Sequence, residues 1–277
     1  MSSIPTTPLL AVSLLVVAGC SGGSSGRGVG AVPPQGSAMS IGADGTVQQA
    51  RADVSRSGDG RILLSMTEGP MAGMTMECAD ATLGACLVDG GPAGTSASGT
   101  LLERYQGQYA FVGNFSVLQV SGDALVSSSH LVHASSPDWD ATAASLPQGR
   151  VNYTGRFSAG AGLTDGPSGM IEGTTELVAN FNTGVLAGSF SGGFEDGTSV
   201  NANFNNITID AANGQFTTTD DSVILFQGDL ADGIIDGAFY GPGAEEAAGI
   251  FQMGNEHGGM SGIFLACQGL EATCIAP

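Results

Sequence analysis

Lysine is absent from the whole 277-residue chain, and the seven arginines face 26 acidic residues, for a formal net charge of −19. Phosphate backbones and anionic lipid headgroups are bound largely through lysine and arginine, so this balance excludes nucleic acid as a partner. Aromatics are scarce at 6%, whereas glycine is abundant at 45 residues. That pairing predicts many turns and thin strands rather than helices packed through bulky side chains. With only three histidines, the usual general bases are few. There is no Gly-x-Ser-x-Gly nucleophile elbow at a strand-to-helix turn, no His-Glu-x-x-His and no phosphate-cradling loop ending in lysine. No enzyme is expected, and the adjacent Glu245 and Glu246 read as solvated residues of a polar connector rather than an acid and a base.

What the chain does carry begins at its N-terminus. Residues 9–20 are an apolar stretch too short to span a bilayer, closing on Val17-Ala18-Gly19-Cys20. Residues 1–19 are therefore expected to be a lipoprotein signal peptide, with the thiol of Cys20 acylated, although no lysine or arginine precedes the apolar run. Residues 20–45 are rich in glycine, serine and proline, and are expected to form a flexible tether. The acyl chains on Cys20 would hold it in a lipid bilayer, since stable anchoring takes more than one chain. Four cysteines remain, Cys78, Cys86, Cys267 and Cys274. An even count in an exported chain points to disulfides, most simply Cys78 with Cys86 and Cys267 with Cys274, although three connectivities are formally open.

Residues 46–147 contain strand candidates at 61–66, 99–105, 108–119 and 124–133, punctuated by turn residues. Residues 148–277 are more regular. Thr175, Leu177, Ala179 and Phe181 alternate with polar neighbours, as do Val200, Ala202 and Phe204. Such period-two patterning marks half-buried antiparallel strands. The phase breaks at Asn205 and Asn206, which predicts a bulge. Strands are expected near 151–157, 169–182, 184–192, 199–210, 214–218, 223–227, 233–240, 248–253 and 260–265. The fold class is all-β: an eight-stranded antiparallel β-barrel preceded by a smaller β-rich region. A membrane-spanning barrel is excluded because the faces away from the core carry Asn, Thr, Asp and Glu.

The most specific string lies in residues 237–251, where Phe239-Tyr240-Gly241-Pro242 is followed by Glu246 and Gly249. With Gly237, and with Tyr153-Thr154-Gly155 and residues 179–185 ahead of it, this string resembles the C-terminal β-barrel of transferrin-binding-protein-B-like surface lipoproteins. That group also includes factor-H-binding and haem-binding members. The resemblance implies an eight-stranded barrel preceded by a smaller handle of strands, here residues 46–147. It implies a non-catalytic lipoprotein of the bacterial outer membrane, displayed at the cell surface or facing the periplasm. Its barrel loops would bind a host or environmental protein or an iron carrier, and an outer-membrane translocon for surface lipoproteins would be a partner. The glycines and Pro242 of the string are expected to shape a strand-turn-strand corner, with Tyr240 and Glu246 bracing it.

Other constellations suggest rival functions. Met71, Met74 and Met76 form a thioether cluster of the kind that selects Cu(I), or else they fill a loop contact. His257 stands in a glycine-rich turn where a histidine can ligate haem. A haem or copper carrier is thus the first alternative, and a structural envelope lipoprotein without a ligand the second. His130 and His133 are three apart on a strand, hence on opposite faces, and read as polar strand-end residues. Asp229, Asp232 and Asp236 lack the spacing of a calcium loop, and a turn at Asp232-Gly233 is expected instead.

Overall fold

Apolar residues at every second position, cut by glycine turns, become antiparallel strands throughout the computed structural model, which describes residues 36–42, 46–69, 71–79, 84–90, 95–121, 124–137 and 146–269. The expected signal peptide, Cys20, most of the expected tether and Cys274 lie outside the described residues. No helix occurs among the described residues.

The first eight strands are β1 (Ser37–Gly42), β2 (Val47–Arg56), β3 (Ile62–Glu68), β4 (Thr75–Cys78), β5 (Gly84–Asp89), β6 (Thr95–Gln106), β7 (Ala110–Ser121) and β8 (Ala124–Ser135). Each pairs with the next, and β1 also pairs with β8, so the sheet closes into a barrel. The expected handle is therefore a complete barrel, and the expected tether over 20–45 gives up Ser37–Gly42 to β1. The missed strands have physical reasons. On β2 the inward positions are the small Ala50 and Ala52, between exposed Gln49, Arg51 and Asp53, so its apolar face is faint. Strands β4 and β5 are only 4 and 6 residues long. They are joined by the Cys78–Cys86 disulfide, whose two residues sit directly opposite each other in the ladder.

The second sheet holds β9 (Arg150–Leu163), β10 (Ser168–Asn180), β11 (Val185–Gly193), β12 (Ser199–Ile209), β13 (Gln215–Thr217), β14 (Val223–Phe226), β15 (Asp229–Tyr240), β16 (Glu246–Asn255) and β17 (Gly258–Gln268). All nine correspond to expected strands. The short β13 and β14 both bridge β12 and β15, so together they fill one position of an eight-position ring. Pairings of β11 with β12 and of β17 with β9 close it. The bulge falls on β12, where Asn206 takes φ 57° and the register against β11 shifts between Leu186 and Gly188. Asp232 and Gly233 lie inside β15, not in a turn, because β15 extends back to Asp229.

The two interiors are filled differently. Phe157, Phe190, Phe204, Phe216, Phe239, Phe251 and Phe264 occupy the second, with Phe190 stacked on Phe251 at 4.4 Å. Gly237 and Gly249 face each other across β15 and β16 and leave room for two of these rings. A Cβ on Gly237 would lie 2.4 Å from Phe216, and one on Gly249 2.7 Å from Phe264. These two glycines make space inside the barrel rather than shape the corner. The first interior is packed by Met66, Met71, Met74 and Met76 beside Ile62, Leu64, Phe111 and Phe115.

His130 and His133 do point to opposite faces of β8, but both lie within the strand and are fully buried. His130 sits in the first barrel with its ring nitrogens 2.9 Å from Ser40 Oγ and from Ser128 Oγ.

Burial pushes the pKa of His130 down from 6.5 to about 4. Between those values the unfolded chain holds a proton that the folded barrel rejects. This contribution is therefore complete above about pH 6.5 and is lost as pH falls toward about 4, a loss of roughly 3 kcal/mol. Urea melts at pH 7 and 4.5 are expected to show a smaller acid loss for His130→Gln than for wild type. In the second barrel, Gly237→Ala is expected to cost about 1–3 kcal/mol by overpacking against Phe216, read as a lowered thermal midpoint.

Candidate functional site at the barrel junction

The outer face of the second barrel along β15, β16 and β17 carries Ala238, Tyr240, Ala248, Ile250, Ile263 and Leu265. These pack against Met39, Ala110, Val112 and Leu131 of the first barrel. Small side chains let the two sheets approach closely, and polar contacts then fix their register.

The principal contact is a buried carboxylate. Glu246 opens β16 with 2% of its surface exposed, contrary to the solvated connector expected for it. Its Oε1 accepts the backbone N–H of Gln108 at 2.8 Å, and its Oε2 accepts those of Tyr109 at 3.0 Å and Ala110 at 2.8 Å. Three successive amides of the β6–β7 turn thus form an anion nest across the junction. Gly107 is required beside it, since a Cβ there would stand 2.3 Å from Glu246 Oε2. Burial raises the Glu246 carboxyl above its ordinary value, and the charge of Glu245 adds to this; the three amides pull the other way without cancelling it.

Tyr240 makes the second contact, with its hydroxyl 2.7 Å from His133 Nδ1. His133 Nε2 lies 3.4 Å from Asp236 Oδ2. A carboxylate only accepts, so the proton between them sits on Nε2, while Nδ1 faces the Tyr240 hydroxyl. Burial opposes ionisation of Asp236, but hydrogen bonding and charge from His133, with hydroxyls of Ser37 and Thr217, hold its carboxyl below the usual range. Tyr240 is raised well above its ordinary value by burial and by the charge of Asp236.

The corner between β15 and β16 is held by other residues. Gly241 adopts φ 93°, a conformation open to glycine at little cost. Tyr153 Oη donates to Ala244 O at 2.8 Å, and Gln268 Nε2 donates to Gly243 O at 3.1 Å and Ala244 O at 2.8 Å. Tyr240 and Glu246 therefore latch the two barrels together instead of bracing the corner. Phe239 points into the second barrel core, and Pro242 is exposed on the turn.

The remaining candidates are dispersed. Met71, Met74 and Met76 are buried inside the first barrel. His257 is an exposed turn residue, its Nε2 2.8 Å from Asp229 Oδ2. Cys267 is disulfide-bonded; its expected partner, Cys274, lies outside the described residues. The junction residues missed in the sequence are Gly107, Gln108, His133 and Asp236. The one signal available was the pair of histidines on opposite faces of β8, since two buried faces mean two different cores.

Among the described residues, two closed antiparallel barrels packed through an outer sheet face define an all-β double-barrel fold. The family model for the C-lobe and N-lobe β-barrels of Tf-binding protein B matches residues 104–268, and the chain belongs to that family. No curated protein matches it. Among solved structures, it is similar to isotype 1 transferrin binding protein B from serogroup B Neisseria meningitidis, at 15% identity and TM-score 0.45 over 85% of this chain and 44% of that one. It is also similar to a point variant of Transferrin Binding Protein B from Actinobacillus pleuropneumoniae, at 15% identity and TM-score 0.40 over 86% of this chain and 100% of that one. The N-lobe of lactoferrin binding protein B from Moraxella bovis matches at 11% identity and TM-score 0.39, over 86% and 100%. The chain thus spans less than half of the meningococcal protein and the full length of the other two.

Removing one side of the latch leaves buried amides without an acceptor. Glu246→Gln is expected to destabilise the chain by about 2–3 kcal/mol, and Tyr240→Phe by about 1 kcal/mol. Thermal melts check the totals. Hydrogen exchange at the amides of Gln108, Tyr109 and Ala110 checks the cause, and is expected to accelerate in Glu246→Gln but not in Tyr240→Phe.

Proposed function

We propose that this protein is a non-catalytic binding lipoprotein of the bacterial outer membrane, held by acyl chains on Cys20 and recognising a macromolecular partner through the loops at one end of its second barrel. Residues 1–19 act as its signal peptide, and the chain following Cys20 spaces the barrels from the bilayer. A translocon for surface lipoproteins delivers it to the cell exterior. Membership of the Tf-binding protein B barrel family supports this reading and makes iron-carrier proteins the partners to test first.

One observation in this chain carries the proposal. The loops at 164–167, 194–198, 227–228 and 256–257 gather at one end of the second barrel and are cross-tied. Thr164 N donates to His257 O at 3.0 Å, Asn255 Nδ2 to Phe226 O at 2.9 Å, and Gln227 Nε2 to Ser199 O at 3.0 Å. They bear exposed Asp165, Glu195, Asp196 and Glu256, with Asp229 alongside and neither lysine nor arginine. Exposed Leu230 adds an apolar contact. Rigid loops on a barrel are where recognition is commonly placed, and a single-sign rim steers an oppositely charged partner. The partner is therefore a protein with a basic face.

The test is surface-immobilised binding of transferrin, lactoferrin and basic control proteins to the purified protein and to a variant combining Asp165→Lys, Asp229→Lys and Glu256→Lys. At least a tenfold loss in the variant is expected, together with weaker wild-type binding as ionic strength rises from about 0.05 to about 0.3 M. Equal binding by both forms, with melting unchanged, would overturn the loop assignment. Protease shaving of intact cells tests display separately: full protection until the outer membrane is breached would contradict a surface location.

A further inference from the structure

A recess lies away from the loop end, between the barrels. It is a half-open cleft of about 400 Å³, bounded by β1, β2 and the end of β3 on one side and by β13 and β15 on the other. Gly36, Ala50 and Gly69 form bare parts of its wall, while Ser37, Gln49, Gln215 and Thr217 line it with hydroxyls and amides. Its charged groups are unequal. Arg51 and Glu68 neutralise each other at the mouth, at 3.2 Å and with about half or more of each side chain exposed (50% and 65%). Asp236 has no such exposed counter-ion: its side chain is 21% exposed, and its inner side is held by the fully buried His133 of the junction.

We propose that this cleft is a binding site for a primary ammonium or guanidinium group on a short aliphatic stem, with Asp236 as its anchor. Four features select that class. The carboxylate is held on its inner side by His133 Nε2 at 3.4 Å and stands 21% exposed toward the cleft, so it is placed to accept a further charge-assisted hydrogen bond. The amide oxygen of Gln49, on the cleft wall, offers an acceptor for a remaining N–H group of an ammonium, which has three donors, or a guanidinium, which has five. No aromatic residue lines the cleft, which disfavours quaternary ammonium ions, whose recognition depends on ring faces. Anions are repelled by Asp236 itself and by a chain of net charge −19. Because the floor residue is also the outer end of the Tyr240–His133 contact, an occupied cleft reinforces the latch between the barrels.

The same chemistry is available from a free diamine or from a lysine or arginine side chain of a protein partner. Ligand-observed NMR and calorimetry on the purified full-length protein, with 1,4-diaminobutane and arginine amide as probes and tetramethylammonium and glutarate as controls, test the class. Saturable binding of the first two and not of the controls is expected. Asp236→Asn is expected to weaken it at least about tenfold, the scale of one charge-assisted hydrogen bond. Gln49→Trp, on an exposed position of β2, fills the cleft without touching the His133 contact and is expected to weaken binding equally; it decides the matter if Asp236→Asn melts early. No saturable binding of either probe, or binding unchanged by Gln49→Trp, overturns the proposal. A neutral peptide carrying a single lysine separates the sources: binding tighter than that of the diamine assigns the cleft to a partner's side chain, and weaker binding assigns it to a free amine.

Discussion

A carboxylate placed out of water must have its lone pairs occupied, and Glu246 meets that demand only by reaching into the neighbouring barrel. Its three acceptor contacts are consecutive amides of one tight turn, so the turn cannot shift or rotate without stranding a buried donor or a buried charge. The consequences spread outward. The β6–β7 turn is seated against the β15–β16 corner, where Gly241 clears space for the ring of Tyr109; a Cβ there would approach it to 2.8 Å. Tyr240 is thereby brought over His133, and His133 onto Asp236. The apolar contact of Ala238, Ala248 and Ile250 with Ala110 and Val112 supplies area, while the polar groups supply register.

The two barrels reach filled interiors by different chemistry. The few aromatic residues of the chain are concentrated in the second barrel, where inward glycines are matched to ring edges, as at Gly237 with Phe216 and Gly249 with Phe264. Rings in fixed slots leave the interior little freedom. The first barrel relies on four buried methionines, whose flexible stems fill irregular space, and on a disulfide that ties its two shortest adjoining strands. That use of methionine is a packing role at the positions where the sequence suggested a soft-metal cluster.

Much of the second barrel was legible because each strand is half-buried and alternates clearly, so period two survives from end to end, and the bulge at Asn206 announced itself as a break in phase. The first barrel was half legible. Its β2 buries mainly alanine and its β4 and β5 are too short to show a period, so no hydrophobic signal marked them. The family string around Phe239 and Tyr240 was visible as a pattern, yet its roles were not, because a residue on the outer face of a barrel looks solvent-facing in sequence whether or not another domain covers it. Glu246 is the clearest case: a glutamate beside a glutamate in a glycine-rich stretch reads as surface.

By itself the sequence determined the all-β class, the nine strand segments of the second barrel, the Cys78–Cys86 pairing as the simplest connectivity and the strongly acidic character, since these depend on composition, local periodicity and short separations along the chain. Only the tertiary structure decided that residues 37–135 close into a barrel of their own, that His130 and His133 serve two different interiors, and that Glu246 and Tyr240 join the barrels. Closure is set by which distant strands find each other, as β1 finds β8. The fate of a buried charge is set by donors more than a hundred residues away in the chain. Neither long-range pairing nor the cover over an outer sheet face leaves a trace in local sequence pattern.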